Sequence, residues 1–427
     1  MSKFLFPVLA ITMIGLNVSC SSGDDKDSIT QITNATAGGS AEEDTENLML
    51  SDAQKAMVQE SNGLALNLLQ QLNASHGEHS YVVSPLSVGY VLGMLCEGAD
   101  QPAQEEIAKA LGFEREDVNA ISSYYAKLMR IGSSLDKEVT VGLANIIFGN
   151  RNLGIEFADE YTQRVIDYYE AEIKSMDFQS EKTLEAINDW SSSKTQGMIP
   201  EILSSSEFNP SCAAYLLNAV SFKGAWSQPF DKTETHPEPF TTPTGANREV
   251  ALMHKHTEAE SYGYWKDDRA QYLSMPYANG SFRMMVVLPD AGNDLKGILD
   301  DMDWTAVLRE QYNTDVDIYL PAFSIETETD LVPLLKSLGI EKVFTIGLTR
   351  ILKNRSQLLL NIIKQKSRIV VQEEGTTAAS TTLGGLVGAD IGGRPTPKEF
   401  RADHPFAFFI YEKSTGIIFF VGKFTGE

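Results

Sequence analysis

Residues 368–382 read RIVVQEEGTTAASTT: a β-branched strand, an acidic turn and then a run of small side chains. From residue 376 to residue 389 the chain contains no charged residue and no proline, and Asp390 is the first charge that follows. A featureless connection of about 25 residues between two hydrophobic strands is uncommon in a compact domain and is usually functional or disordered. Because it lacks charge and bulk, this stretch can lie extended in solvent or enter a β-sheet without burying a charge.

The search for catalytic and ligand-binding motifs is negative. The glycines after residue 382 lack the spacing of a phosphate-binding loop, and no serine-hydrolase, zinc-protease or Cys-x-x-Cys motif occurs. The pairs His76/His79 and His254/His256 would need a third ligand to hold a metal, so we interpret them as surface or sheet histidines. We therefore expect no enzymatic activity, no catalytic residues, no metal site and no cofactor.

Charge and cysteine content exclude further classes of protein. The 427 residues include 35 Lys and Arg against 58 Asp and Glu, which gives a formal net charge of −23. A chain this acidic is repelled by phosphate backbones, and nucleic acid is therefore not an expected partner. The three cysteines, Cys20, Cys96 and Cys212, are too few and too scattered for a disulfide framework. The fold must therefore depend on its hydrophobic core, and we expect a monomer.

The N-terminal segment predicts export. Lys3 precedes an apolar run from Phe4 to Leu16 that is too short to span a bilayer, and small residues lead to Cys20. Residues 1–19 resemble a bacterial lipoprotein signal that would leave Cys20 as the lipidated N-terminus, although Asn17 departs from the preferred Leu, Val or Ile. A plain secretory signal is the alternative. Residues 20–50 are acidic and rich in small polar residues, as in a flexible tether.

The tether also carries a candidate sorting signal. Asp24-Asp25, close after the cysteine, resembles the acidic sorting signal of surface-exposed Bacteroidetes lipoproteins. The sequence thus predicts a lipid anchor in the outer membrane and a position at the cell surface, while a linker without an address is the alternative.

Residues 51–427 predict one large α+β domain. Helical periodicity marks residues 58–72, and Ser84 before Pro85 marks the start of a second helix. Short helices are expected to about residue 175 and strands predominate from Ala213 onward, with one amphipathic helix at residues 331–338. No linker-like stretch interrupts this part of the chain.

Blocks along this domain resemble the serpin family in the family's order. Residues 373–380 (EEGTTAAS) are similar to the hinge of the serpin reactive-centre loop. Four further blocks resemble the family: residues 83–87 with 94–99 (VSPLS, MLCEGA), 217–226 (LNAVSFKGAW), 320–327 (LPAFSIET) and 403–406 (DHPF).

The resemblance implies a fold of three β-sheets and about eight or nine helices, with a reactive-centre loop at about residues 373–397. A serine protease attacks such a loop, and the cleaved loop enters the central sheet while the protease stays bound as a covalent acyl-enzyme. The partner implied is therefore a serine protease, and the chain would act as a suicide substrate. By the same resemblance, the hinge consists of Glu373, Gly375, Thr376, Ala378 and Ala379.

A second set of residues matches the family's cluster behind the central sheet, where the strands part to admit the loop. It contains Ser84, Ser87, Asn218 and Gln365, and Trp226 matches a tryptophan near the top of the sheet. The family usually has a histidine at the position of Gln365. Glutamine donates and accepts hydrogen bonds but does not titrate, so we expect the cluster to persist with altered control. Ordinary buried hydrogen bonding and core packing are the alternatives.

By the same resemblance, the family's usual distance from the hinge to the cleaved bond places the reactive bond between Ala389 and Asp390. The apolar residues 386–388 before it suit an elastase-like or subtilisin-like protease, although the loop is longer than is typical and a neighbouring bond is an alternative. Arg394 is followed by Pro395, which disfavours cleavage by trypsin.

Two other functions remain open. A non-inhibitory binding protein with the same fold is one. The other is a surface nutrient-binding lipoprotein, which would need an aromatic platform from the scattered residues Trp190, Trp226, Trp265 and Trp304.

Overall fold

Seventeen strands in three sheets and ten α-helices make up the described part of the protein. The structure, a computed structural model, describes residues 50–113, 117–132, 134–257, 262–360, 362–376 and 397–427. These residues belong to one unit, Thr45–Glu427. The helices are α1 Asp52–His76, α2 Pro85–Gly98, α3 Gln101–Ala110, α4 Val118–Gly132, α5 Asp159–Tyr169, α6 Lys182–Lys194, α7 Leu295–Asp300, α8 Trp304–Glu310, α9 Leu331–Ser337 and α10 Lys342–Thr345.

The strands occur in runs as well as between helices. They are β1 Tyr81–Val83, β2 Val139–Asn150, β3 Glu172–Met176, β4 Ala214–Ala225, β5 His236–Thr241, β6 Asn247–Thr257, β7 Gly263–Lys266, β8 Ala270–Pro276, β9 Phe282–Pro289, β10 Tyr312–Asn313, β11 Val316–Pro321, β12 Phe323–Asp330, β13 Ile363–Val371, β14 Gly375–Thr376, β15 Lys398–Arg401, β16 Phe406–Glu412 and β17 Ile418–Phe424. Strands β4 to β9 and β13 to β17 are uninterrupted by an α-helix.

The strands form three sheets of different size. The central sheet has the order β12-β13-β4-β2-β3, and the short β14 pairs with β4. A seven-stranded sheet has the order β1-β17-β16-β9-β8-β7-β10, and a four-stranded sheet has the order β15-β11-β6-β5. The α+β class and the three sheets agree with the sequence-based expectation, and the described helices slightly exceed the eight or nine expected because short ones such as α10 contribute.

Two hydrophobic cores lie on opposite faces of the central sheet. Successive side chains of a strand point to opposite faces, so Leu216 and Val220 of β4 join the large core while Leu217 and Ala219 join the smaller one. The large core also contains most of α2 and the seven-stranded sheet, and the smaller core is completed by α6. We call the face toward the large core the inner face and the other the outer face.

The expectation of helices as far as residue 175 is wrong for two segments. Val139–Asn150 is a twelve-residue strand, β2, and Glu172–Met176 forms the edge strand β3. Strand β2 pairs with β4 from Val139 with Gly224 to Gly149 with Ala214, so a partner about 65 to 85 residues later in the chain decides its conformation. Among the described residues, no helix combines the length and apolar composition needed to cross a bilayer.

Helix α2 is buried along its whole length and therefore tolerates little added volume. Gly89 faces the ring of Tyr125, and a Cβ atom at this position would lie 2.5 Å from that ring. Gly63 in α1 is exposed, and a Cβ atom there would have open space around it.

These surroundings predict opposite effects of the same substitution. Gly89→Ala should destabilise the fold by about 1–3 kcal/mol through overpacking. The matched control Gly63→Ala should stabilise it by about 0.5–1 kcal/mol, because alanine favours the helix. The midpoint of unfolding in guanidinium chloride measures both, and an unchanged midpoint for Gly89→Ala would contradict the packing described.

Candidate functional site

The turn between β13 and β14 is the described part of the hinge. The backbone N–H of Gln372 donates to the carbonyl of Gly375 at 2.9 Å, and the N–H of Gly375 donates back to the carbonyl of Gln372 at 3.0 Å. Gly375 has φ = 134°, and a Cβ atom here would lie 2.3 Å from the carbonyl oxygen of Gly224. Only glycine fits this turn, both for its backbone conformation and for the close approach of β4.

Thr376 is the last described residue of the hinge, and it already belongs to the central sheet. Gly375 and Thr376 pair antiparallel with Ala225 and Gly224 at the end of β4. The side chain of Thr376 is fully buried, and its hydroxyl lies 2.9 Å from the hydroxyl of Tyr277. Burial raises the pKa of Tyr277, so this pair is neutral and hydrogen-bonded. Thr376 thus points to the inner face of the sheet.

Trp226 holds the same turn from the end of β4. Its indole N–H donates to the carbonyl of Gln372 at 3.0 Å, and its backbone N–H donates to the carbonyl of Glu374 at 2.9 Å. Its ring stacks on Tyr277 with a centroid distance of 4.4 Å. Trp226 therefore contacts the hinge and is not part of the hydrogen-bonded cluster further down the sheet.

The two glutamates of the turn are fixed by the segment that follows Trp226. The backbone N–H of Phe230 donates to the carbonyl of Glu373 at 2.8 Å, and Lys232 forms an ion pair with the carboxylate of Glu374. The bond from Lys232 lowers the pKa of Glu374, and the same bond raises the pKa of Lys232. Because Lys232 is largely exposed, the pair orients the turn more than it stabilises it.

Ser84, Ser87, Asn218 and Gln365 do meet, and all four are fully buried. The side-chain amide of Gln365 donates to Asn218 Oδ1 at 2.8 Å, and its Oε1 accepts from the backbone N–H of Ser84 at 3.0 Å. Asn218 Nδ2 donates to Ser87 Oγ at 2.5 Å. Gln365 and Asn218 are register partners on β13 and β4, so the cluster links these two strands to the first turn of α2.

Asn145 on β2 is a member of this cluster that the sequence did not indicate. Asn218 Nδ2 also donates to Asn145 Oδ1 at 2.8 Å, and Asn145 is the register partner of Asn218. Asn145 was missed because β2 was not recognised as a strand; the register of a correctly assigned β2 would have indicated it.

Strands β4 and β13 lie side by side along most of their length. They pair in parallel from Leu216 with Ile363 to Phe222 with Ile369, and we call this line the seam. Beyond Phe222, the end of β4 pairs with β14 instead of β13. The seam is therefore closed over most of its length, and Gly375 and Thr376 of the hinge occupy one end of it.

Several predicted site residues lie outside the described part of the chain. Ala378 and Ala379 of the hinge, the reactive bond Ala389–Asp390 and the lipidation site Cys20 belong to this group.

The histidines and tryptophans occupy ordinary surroundings. His79 pairs with Glu427, and His256 pairs with Asp317 at 2.9 Å. Within the described ranges, no three His, Cys, Asp or Glu side chains form a group able to hold a metal ion. Trp190, Trp226 and Trp304 are at most 5% exposed, so they offer no surface platform for a sugar.

Comparison with known proteins agrees with this architecture. The family model described as Serpin (serine protease inhibitor) matches residues 59–426. The chain belongs to the serpin family. The family is described as inhibitors of serine proteases, and protease inhibitors are not catalytic enzymes.

Individual relatives are similar over nearly their whole length. Human serpin B9 is 30% identical, with 86% of this chain and 98% of that protein covered. The leukocyte elastase inhibitor of Sus scrofa is 31% identical, with coverage of 84% and 96%.

Solved structures show the same fold at lower identity. Native tengpin, a thermophilic serpin, has a TM-score of 0.77 at 24% identity, with 88% of this chain and 95% of that chain covered. Thyroxine-binding globulin in complex with thyroxine has a TM-score of 0.76 at 24% identity, with coverage of 87% and 99%. Since proteins named as inhibitors and as a hormone-binding globulin share this fold, the fold alone does not establish inhibition.

The geometry of the cluster predicts how the pH dependence of folding stability would change if residue 365 were a histidine. A neutral histidine at position 365 can accept from Ser84 and donate to Asn218, whereas a protonated one cannot accept. Burial therefore lowers its folded pKa below the unfolded value of about 6.5, so stability is present above that pH and is lost as pH falls. Between pH 8 and pH 5.5, the melting temperature of the Gln365→His variant should fall further than that of the wild type. If the melting temperatures of the two proteins fell equally over this pH range, this account of the cluster would be disproved.

Proposed function

We propose that this protein inhibits a serine protease as a suicide substrate and traps the acyl-enzyme by inserting its cleaved loop into the central sheet. The observation that carries the proposal is the pairing of Gly375 and Thr376 with β4 at the open end of the seam. Strand addition to a sheet edge is a known mode of serpin loops. A strand that continued from Thr376 would enter between β4 and β13.

The register of this pairing supports insertion of the residues that follow. If it continued unchanged, Ala378 would lie opposite Phe222 and Thr382 opposite Asn218. Even-numbered loop residues would then point, like Thr376, to the inner face. Those residues are Thr376, Ala378, Ser380 and Thr382, all small and uncharged. Thr382 would reach the level of Gln365 and supply a hydroxyl where the bond between Gln365 and Asn218 is broken.

The energetics favour insertion after cleavage. Each new ladder bond contributes about 1 kcal/mol net, so a strand of about a dozen bonds outweighs the usual stability margin of a native domain. Before cleavage, the loop is tied at both ends and cannot enter fully. Cleavage between Ala389 and Asp390 would free the strand while the protease remains attached as its acyl ester.

The residues before the proposed bond indicate the class of protease. Leu386, Val387 and Gly388 precede Ala389, and a small side chain at the cleaved position suits an elastase-like or subtilisin-like pocket. The similarity to the leukocyte elastase inhibitor of Sus scrofa is in keeping with that class.

The trapping mechanism predicts different outcomes for neighbouring hinge residues. Thr376 is already buried beside Tyr277, so the charge of Thr376→Glu would cost several kcal/mol there and should expel residue 376 from the sheet. Because this removes the start of the inserting strand, insertion should become slower than release of the protease. The matched control Thr377→Glu carries the same charge at an odd position, where the inserted side chain would face outward near Lys223. We expect Thr376→Glu to be cleaved without trapping elastase and Thr377→Glu to retain most of the inhibition.

Denaturing gels, residual elastase activity and mass spectrometry of the released fragment measure these outcomes. Wild type should form a gel-stable complex and release the fragment that begins at Asp390. Absence of a covalent complex with wild type would identify a non-inhibitory serpin, and equal inhibition by both variants would exclude insertion as the trapping step.

We further propose that the protein is exported and anchored to the outer membrane through a lipid on Cys20, at the cell surface. Residues 1–19 and the acidic pair Asp24-Asp25 support this location. Cys20→Ala should abolish incorporation of labelled palmitate. Replacement of Asp24-Asp25 by alanine should protect the protein from protease added to intact cells, whereas equal digestion of both forms would exclude the sorting role.

A further inference from the structure

The segment 226–230, which follows β4, holds the hinge turn, and we call it the clamp. The backbone N–H groups of Trp226 and Phe230 donate to the carbonyls of Glu374 and Glu373 at 2.9 and 2.8 Å. The rings of Trp226 and Phe230 pack edge to face, with centroids 6.3 Å apart. The clamp fixes the turn of the hinge, so a group that supports the clamp also supports the hinge.

Lys255 of β6 supports the clamp from the four-stranded sheet. Its Nζ donates to the carbonyl of Gln228 and, at 2.9 Å, to the hydroxyl of Tyr262. It also lies 5.7 Å from the ring centroid of Phe230 and 5.4 Å from that of Tyr262. One side chain thus contacts two residues of the clamp and the residue that precedes β7.

The immediate surroundings of Lys255 are apolar or neutral. Its register partner on β11 is the buried Ile318. Burial raises the pKa of Tyr262, so the hydroxyl beside the amine is neutral. Among the described residues, no carboxylate forms an ion pair with Lys255. The two rings attract an ammonium only weakly at these distances, because such contacts extend to about 6 Å.

The charged groups of the elements packed around Lys255 have other partners. Arg283 of β9 faces the hydroxyl of Tyr262, and its Nε donates to Ser274 Oγ at 2.6 Å. Lys232, close after the clamp, pairs with the carboxylate of Glu374. Neither charge provides a counter-ion for the amine of β6.

The histidines next to Lys255 point to the opposite face of β6, because side chains alternate along a strand. On that face His256 pairs with Asp317 at 2.9 Å, and His254 lies 3.8 Å from Glu234. Burial is therefore the cause that lowers the pKa of Lys255, from its ordinary value to about 7.

We propose that Lys255 is a positioning residue that supports the clamp while its amine is neutral and releases the clamp when the amine takes up a proton. A neutral amine keeps the bond to Gln228 and avoids the cost of a charge in this partly buried place. Lys255 acts through the clamp and contacts no protease, so it is not a catalytic residue.

The sign of the pH dependence follows from the two states of the amine. Release moves the amine into water, where its pKa returns to about 10.4. Between that value and about 7, the released form carries a proton that the supporting form lacks. Rising pH therefore favours the supporting form. The support is weak at pH 7 and below, and it gains strength as the pH rises toward about 10.

The consequence for inhibition rests on the function proposed above. A firmly held turn directs the chain after Thr376 toward the seam, whereas a released turn delays its entry and gives the acyl-enzyme time to hydrolyse. Wild type should therefore consume more molecules of inhibitor for each trapped elastase at pH 7 than at pH 9. In Lys255→Met this ratio should be the same at both pH values.

Hydrogen–deuterium exchange of the full-length protein, with no protease present, tests the support itself. The amides of Trp226 and Phe230 are compared at pH 7 and pH 9 after correction for their intrinsic exchange rates. Their protection in wild type should rise by about tenfold or more, because release consumes a proton. Amides of β16, which is paired on both edges, should keep constant protection and so exclude a global change.

Two variants fix the charge of residue 255. Lys255→Met cannot take up a proton and keeps the length of the side chain, so protection of the clamp should be high at both pH values. Lys255→Arg stays charged at both, so protection should be low at both. Lys266→Met is the matched control: Lys266 is an exposed lysine of β7 that pairs with Asp290 at 2.8 Å, and its loss should leave the pH response of wild type.

A lysine titration of wild type keeps the test decisive if a variant fails to fold. With an isotopic label at lysine Cε, one signal should shift in the NMR spectrum with a midpoint near pH 7. Signals of exposed lysines should shift near pH 10, the region of about 10.4 expected in water.

Three results would overturn the proposal: no lysine midpoint below about pH 9, equal changes in protection at the clamp and at β16, or the same pH response in Lys255→Met as in wild type. These measurements need no protease. Failure of wild type to form a covalent complex with elastase would refute the proposed function and leave the exchange comparison intact.

Discussion

The parallel pairing of β4 with β13 is the interaction on which the rest of this structure depends. It joins two strands that are more than a hundred residues apart in the chain, and it separates the two cores. Parallel ladders are slightly less stable per residue than antiparallel ones. Among the described strand pairs of the central sheet, this one lies in line with β14, so under the proposed function it is where a new strand would enter without loss of the other pairings.

Polar side chains control both faces of this seam. On the inner face, Gln365 and Asn218 form a bond between the two strands and extend it to α2 through Ser84. On the outer face, Lys366 and Arg368 donate to the carbonyls of Glu201 and Met198 in the segment between α6 and β4. A buried polar group that loses its hydrogen-bond partner carries a desolvation cost, so the bonds that these networks make across the seam favour its closed form.

Under the proposed function, the sequence of the hinge has to suit two environments, the loop before cleavage and the sheet after it. Gly375 accepts a backbone conformation and a closeness to β4 that no other residue tolerates, and Thr376 fills a buried position next to Tyr277. The small uncharged residues that follow in the sequence are compatible with the same inner face. A loop selected only for recognition by a protease would have no physical need for this composition.

The sequence by itself determined the family, the three-sheet α+β fold and the membership of Ser84, Ser87, Asn218 and Gln365 in one cluster. These features depend on short sequence patterns that resemble those of the family and occur in the same order along the chain. The tertiary structure alone decided that Val139–Asn150 is a strand, that Asn145 joins the cluster, and that Lys366 and Arg368 of β13 donate to carbonyls of the segment between α6 and β4. Each depends on a partner far away in the chain, and no local pattern of charge or hydrophobicity specifies which distant backbone a side chain will meet.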